Sequence, residues 1–146
     1  MNQAHKGVGA LITNTERSHY YIQQKDETYP IKKWRGAYSF WGGALETSDA
    51  SEEVGLLREL EEELNWQPSS AFHKIGNFMV ESDHNFPITV FEILLSPIEL
   101  NKLAAHTIPT EGNGIYIAKE QLLSSPWVWD LDKVLRQYLE MELFKK

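Results

Sequence analysis

Between Glu46 and Glu63 the chain carries eight acidic residues against one arginine, Arg58, and no lysine occurs between Lys33 and Lys74. This run constrains the fold most, because it also has the strongest helical signature in the sequence. Asp49 stands where an N-cap belongs, with Glu52 three residues on as its capping-box partner. Val54, Leu57, Leu60 and Leu64 recur at helical spacing as an apolar stripe. Asn65 and then Pro68 form a stop, asparagine being the common non-glycine residue in a left-handed cap. A helix is therefore expected over Asp49–Leu64. At about 100° per residue, Glu63 and Glu62 fall within roughly 60° of Glu59 on either side. Gly55 lies on the same side, one turn earlier, and the apolar stripe lies opposite.

The segments around this helix read as strands. Val8–Thr13 and His19–Gln24 form a hairpin across a polar, Asn-led turn. Asp26–Lys33 reads as a loop, and Ala37–Trp41 as a short strand ending in a bend at Gly42-Gly43. Ile75–Glu81 and Ile88–Leu95 make a second pair around Ser82–Pro87. A helical turn is expected near Leu100–Ala105, then a turn at Glu111–Gly114 and a strand at Ile115–Ala118. Ser125-Pro126 has the form of an N-cap with proline at N1, opening a C-terminal helix through Leu143 with Leu131, Leu135 and Tyr138 on one stripe. The layout is α+β, a mixed sheet with two substantial helices in a single domain spanning 1–146, of a length that buries a core without staples.

Composition removes several classes of function. The absence of cysteine excludes disulfide scaffolds, thiolate-bound zinc and thiol nucleophiles. No apolar run reaches the ~20 residues that span a bilayer. Nothing at Met1–Lys6 resembles the start of a signal peptide, so the cytoplasm is the expected compartment. Fourteen basic residues against twenty-one acidic ones give a net charge of −7, which argues against the broad basic surface that duplex DNA requires. Small phosphorylated ligands are not excluded, because an acidic protein can bind phosphate through a divalent cation.

Two readings of the acidic helix follow. Glutamates are good helix formers, and a charge run is often a solvated face. Yet solvated helices usually alternate sign, and like charges four apart cost roughly 0.2–0.5 kcal/mol each. Three converging carboxylates tolerate one another best around a cation, and oxygen donors without nearby His or Cys suit Mg²⁺ or Mn²⁺. Gly42-Gly43, one loop before the helix, would let backbone approach a ligand closely; it would equally serve as a plain turn.

Together these residues resemble the Nudix hydrolase family, whose box reads G-x5-E-x7-R-E-U-x-E-E-x-G-U with U a bulky apolar residue. Gly43 matches the first glycine, Arg58-Glu59-Leu60-Glu61-Glu62-Glu63 matches R-E-U-x-E-E without a gap, and Trp66 takes the last U. Tyr38–Gly43 resembles the family's W-x-F-P-G-G, with Trp41 in place of proline. Two positions depart: Asp49 stands for the first Glu with one extra residue before Arg58, and Asn65 replaces the last glycine.

The resemblance implies an α/β/α sandwich with a mixed sheet between helices, and hydrolysis of a diphosphate linkage by water. It implies Mg²⁺ or Mn²⁺ held by Glu59, Glu62, Glu63 and the carbonyl of Gly43, with Arg58 orienting a carboxylate. The general base would be a box-helix glutamate such as Glu59, or Glu111 in the later loop; a solvated turn is the plain alternative for Glu111. Lys25, Lys32, Lys33 and Arg35 are candidates for phosphate, and Tyr38, Phe40, Phe86 and Trp127 for a base, each equally at home in core or surface. Glu92, interrupting an apolar run, would face a cleft or solvent. The substrates implied are nucleoside triphosphates, nucleotide sugars or ADP-ribose-like compounds. The alternative is a non-catalytic nucleotide-sensing domain on the same fold. A metal-dependent isomerase on this fold is disfavoured by the lack of cysteine. A homodimer would use the C-terminal helix or the aromatic segment before Gly42.

Overall fold

The computed structural model describes residues 6–69, 72–82 and 85–141. Expectations at Met1–His5, at Asp83-His84 and for the helix beyond 141 lie outside the described residues.

Strand β1 (Gly7–Asn14) is the axis of the fold. It is apolar on both faces, and from Val8 onwards every residue is buried, as expected for a strand covered on both sides. It runs parallel to β6 (Phe86–Leu95), in register from Gly7 opposite Ile88 to Asn14 opposite Leu95. On its other side β1 is shared. Ile12 and Thr13 pair with β2 (His19–Gln24), whereas Gly7–Ala10 pair with β4 (Trp41–Ala44). β5 (His73–Val80) flanks β6, while β3 (Tyr38–Ser39) and β7 (Asn113–Ala118) pair with β2. All seven strands form one mixed sheet.

Alternation along β1 and β2 sends side chains into two cores. Val8, Ala10, Ile12 and Tyr21 pack under α1 (Glu52–Leu64) and α2 (Pro97–His106). Leu11, Tyr20 and Ile22 pack on the opposite side under α3 (Asp132–Leu139). This is the sandwich implied by the resemblance. Among the described residues no helix is long and apolar enough to cross a membrane.

Four expectations about the secondary-structure elements change. Gly42-Gly43 is not a bend but lies inside β4, with Gly42 opposite Gly9 and Gly43 opposite Val8. Gly42 has φ 143°, and a Cβ there would collide with the Val8 carbonyl oxygen. Helix α1 begins later than expected: Ser51 is its cap, accepting the Val54 N–H at 3.1 Å. Its buried stripe is Leu56, Leu60 and Leu64, with Val54 left 45% exposed. The stripe is therefore turned towards Glu63. Asn65 does take the left-handed cap, at φ 50°. Helix α2 is a full helix rather than a turn, opened by a Ser96–Glu99 capping box with proline in its first turn. Finally, Ser125-Pro126 does not open the last helix. Trp127 is buried and bridges to Tyr38, and Trp129 and Asp130 hold left-handed backbone at φ 55° and 57°, so α3 starts only at Asp132.

Glu92 faces neither cleft nor solvent. It is fully buried beneath α3, where Arg17 forks onto both carboxylate oxygens at 2.9 Å. His73 reaches Oε1 at 3.0 Å, and the Tyr138 hydroxyl donates to Oε2 at 2.5 Å. Tyr138 also contacts the Tyr20 hydroxyl at 2.7 Å. Burial pushes the Tyr20 hydroxyl up to about 12.

Candidate active site

The site is assembled where α1 crosses β4. Arg58, one-fifth exposed, is its hub. Its Nε and Nη2 fork onto Asp49 at 3.0 and 2.9 Å, and Nη2 also reaches the Ala44 carbonyl at 3.2 Å. Nη1 donates to Glu59 at 2.9 Å and to both oxygens of Glu62 at 3.1 Å. Asp49 is thus no helix cap but the anchor of Arg58, and its Oδ2 also accepts the Glu46 N–H at 2.8 Å. The fork forms despite the extra residue between Asp49 and Arg58. Arg58 holds the Asp49 carboxyl below its ordinary value, and Asp49 in turn raises the guanidinium. Gly55 is needed beside this pair, because a Cβ there would run into Leu45 and Asp49.

Glu59 and Glu63 lie deeper. Gly43 has no Cβ, and the carboxylate of Glu59 occupies the space one would fill. Burial raises the Glu59 carboxyl, partly opposed by Arg58. Glu63 accepts the Gly42 N–H at 2.8 Å. Burial, with the charges of Glu59 and Glu111 adding, pushes the Glu63 carboxyl up to about 8 against the Gly42 N–H and Lys25. Glu62 is the exposed member of the three. Arg58 stands between Glu59 and Glu62, and among the described residues no three acidic or histidine side chains are placed so that they could hold a metal ion as they stand.

Glu111 comes to the edge of the same site. Thr110 caps the last turn of α1, donating its N–H to the Glu63 carbonyl at 3.0 Å and its hydroxyl to the Glu62 carbonyl at 3.2 Å. Gln23 donates to the Glu111 carbonyl at 3.2 Å and reaches Glu63 at 3.5 Å. Lys25 donates to Gln23 at 2.8 Å, and burial lowers its ammonium despite Glu63 and Glu111 nearby. Spacing alone could not join residue 111 to residue 63; the pairing of β7 with β2 does so.

A cleft of about 370 Å³ opens beside this cluster. One wall is β4 at Gly42, Gly43 and Ala44, with Lys6 and Lys25 as its cations. Phe40, Phe86 and Trp129 supply its aromatic lining. Of the residues expected to touch substrate, Lys25, Phe40 and Phe86 line the cleft, Phe40 being only 4% exposed. Tyr38 and Arg35 are not part of the lining. Tyr38 is turned edge-on to Trp127 at 6.0 Å, and Arg35 donates to the Tyr29 carbonyl at 2.8 Å. Trp129 and Lys6 were not among the expected site residues: Trp129 fell inside the expected 125–143 helix, and Lys6 lies just before the first expected strand.

Known proteins share this fold. The NUDIX domain family model matches residues 3–138. No curated protein matches the sequence. Among solved structures, the E. coli ORF135 protein aligns at TM-score 0.69 and 16% identity, covering 97% of this chain and 92% of that one. A MutT structure, from work on Aliivibrio salmonicida and Vibrio cholerae, aligns at 0.68 and 20% identity, covering 92% and 96%. The NUDIX domain of Shewanella oneidensis NrtR, in complex with ADP ribose, aligns at 0.69 and 16% identity, covering 96% and 89%. With a family match over nearly its whole length, and an Arg58–Glu63 core whose arginine is forked onto Asp49, this chain belongs to the Nudix family of hydrolases.

Proposed function

We propose that the protein is a divalent-metal-dependent pyrophosphohydrolase that cleaves a diphosphate linkage in a nucleoside diphosphate derivative by attack of water. The observation that carries this reading is the surplus of carboxylate at the site: Glu59, Glu62 and Glu63 beside a glycine strand and a cleft, with one arginine shared between Glu59 and Glu62. The donor set fits Mg²⁺ or Mn²⁺. All donors are oxygens, and burial raises the carboxyls of Glu59 and Glu63, a cost that a cation would offset. Such a cation would be held by Glu59, Glu62, Glu63 and the Gly43 carbonyl, and would neutralise diphosphate charge and make bound water more acidic.

The chain's own residues do the rest. Asp49 locks Arg58, and Arg58 orients Glu59 and Glu62. A glutamate, either Glu59 on the helix or Glu111 on the loop clasped by Gln23, takes the proton from the attacking water. Lys25 in the cleft meets phosphate charge. The substrate class covers nucleoside triphosphates, nucleotide sugars and ADP-ribose-like compounds. NrtR's NUDIX domain in complex with ADP ribose keeps a nucleotide-sensing role as the second reading.

The test is product analysis across these classes with Mg²⁺, Mn²⁺ or EDTA. Metal-dependent release of a nucleoside monophosphate or phosphate, lost in Glu62→Gln with melting temperature retained, is the expected result. Near-normal activity in Glu62→Gln removes the ligand assignment. Binding without cleavage favours the sensing role.

A further inference from the structure

The cleft contains one aromatic side chain that the metal-site reading does not use and that the backbone goes out of its way to present. Trp129 and Asp130 both hold left-handed backbone, at φ 55° and 57°, although neither is glycine. Left-handed backbone is a genuine outlier for a bulky residue, and such conformations persist where surrounding structure enforces them, often at ligand sites.

Here the enforcement is visible. The Asp130 carboxylate accepts the Ser82 hydroxyl at 2.8 Å, fixing the turn from the far side. The Trp129 indole lies beside the Tyr29 hydroxyl. Its ring rests on Trp34 at 6.4 Å. Trp34 itself is 7% exposed, and its indole N–H has no hydrogen-bond partner among the described residues. A buried orphan donor is rare, so polar satisfaction has yielded to this aromatic layer. Lys25 lies over the Tyr29 ring at 4.8 Å and lines the same cleft. The layer thus runs without a break from the cation of the cleft to Trp129.

Phe86 also lines the cleft, on ordinary strand backbone and partly buried against the core, while two other aromatic candidates are occupied. Phe40 packs against Gly9, where a Cβ would sit 2.8 Å from its own, and against Trp127 at 5.3 Å. Trp127 is 1% exposed, its indole N–H bonded to the Leu122 carbonyl at 2.7 Å. Trp129 is half-buried and lines the cleft, and so keeps ring surface for a ligand.

We propose that Trp129 is the stacking platform for a planar heteroaromatic group, the nucleobase of the substrate, and that the base rather than the phosphates alone sets selectivity. This rests on the proposed nucleotide substrate but not on cleavage. The test therefore measures binding by calorimetry in EDTA, where turnover is excluded. The probes are the four common nucleoside monophosphates and ribose 5-phosphate. At least one nucleotide is expected to bind the unaltered protein better than the base-free sugar phosphate. Trp129→Leu should weaken that nucleotide roughly 5- to 150-fold, the range for one base on one aromatic side chain. Ribose 5-phosphate should be unchanged, and Trp129→Phe should restore part of the loss. In turnover assays the loss should appear in KM. Equal binding of nucleotide and sugar phosphate to the unaltered protein overturns the proposal. So does a folded Trp129→Leu variant, checked by melting temperature, that binds nucleotide as tightly as the original. Failure of cleavage with base-dependent binding retained would count against the hydrolase reading alone.

Discussion

Among the described residues two arginine–carboxylate clusters, one on each side of the sheet, are built to opposite specifications. At Glu92 a single carboxylate receives Arg17 on both oxygens, His73 on one and the Tyr138 hydroxyl on the other. Donors exceed acceptors, and the group is fully buried. At α1 the ratio is reversed: Arg58 serves Asp49, Glu59 and Glu62, and comes within 3.4 Å of Glu46, while Glu63 gets a backbone amide and a long contact from Gln23. A saturated buried carboxylate is a structural tie between β6, α3 and the turn after β1. An under-neutralised group of carboxylates beside a cleft is unstable to its own charge, and that instability is what a cation would relieve. The contrast separates stability from function within one chemistry.

The largest effect that would break this contrast lies at the first cluster. Removing Arg17 leaves Glu92 buried without its main counter-charge, and breaking a buried pair in this way costs about 3–5 kcal/mol. Arg17→Ala should lower the unfolding free energy by that amount in urea titration while leaving KM for substrate close to normal once folded. A loss under about 1 kcal/mol would mean that His73 and Tyr138 suffice, and that the two clusters differ less than their geometry suggests.

A smaller effect, and of the other kind, is expected at Asp49. It is not part of the cleft lining, and its carboxylate is forked by Arg58. Outer partners of metal ligands are commonly worth about 10–100-fold in affinity or activity. Asp49→Asn should therefore cut kcat/KM by roughly that factor at limiting Mg²⁺, with partial recovery at saturating Mg²⁺ and little change in melting temperature. Full activity in Asp49→Asn at every Mg²⁺ concentration would show that Arg58 needs no anchor.

The gentlest prediction concerns pH. Glu63 binds its proton more readily folded than unfolded, its carboxyl lying at about 8 against an ordinary value near 4.5. Its stabilising contribution is then complete below about 4.5 and is lost as pH rises through about 8. In EDTA the melting temperature should decline across that window. Glu63→Gln should flatten the decline, and Mg²⁺ should raise the melting temperature more at pH 8 than at pH 5. A flat profile in EDTA would show that Glu63 is not held under charge stress.

Local signals were legible wherever the cause is local. The α1 segment could be read because glutamate and leucine at helical spacing are good helix formers. Asn65 could be read because few residues enter the left-handed cap, and it does so at φ 50°. The glycine pair could be located but not understood. Its reason is the carbonyl of Val8, more than thirty residues away, which leaves no space for a Cβ at Gly42. The last helix was misplaced because Ser-Pro is a sound N-cap signal in isolation. Burial of Trp127 and the left-handed pair after it outweigh that preference.

By itself the sequence determined the helix that carries Arg58, Glu59, Glu62 and Glu63, the excess of acid over base on it, and so the family and its chemistry. These follow from spacing along one helix, which is a local property. The tertiary structure alone decided which carboxylates are buried, that Asp49 anchors Arg58 rather than capping α1, that Glu111 reaches the site, and that Trp129 rather than Tyr38 or Trp127 lines the cleft. Each of these depends on which strand lies beside which. Strand pairing is set by burying two apolar faces of a single sheet at once, a condition that no segment of the chain can satisfy alone.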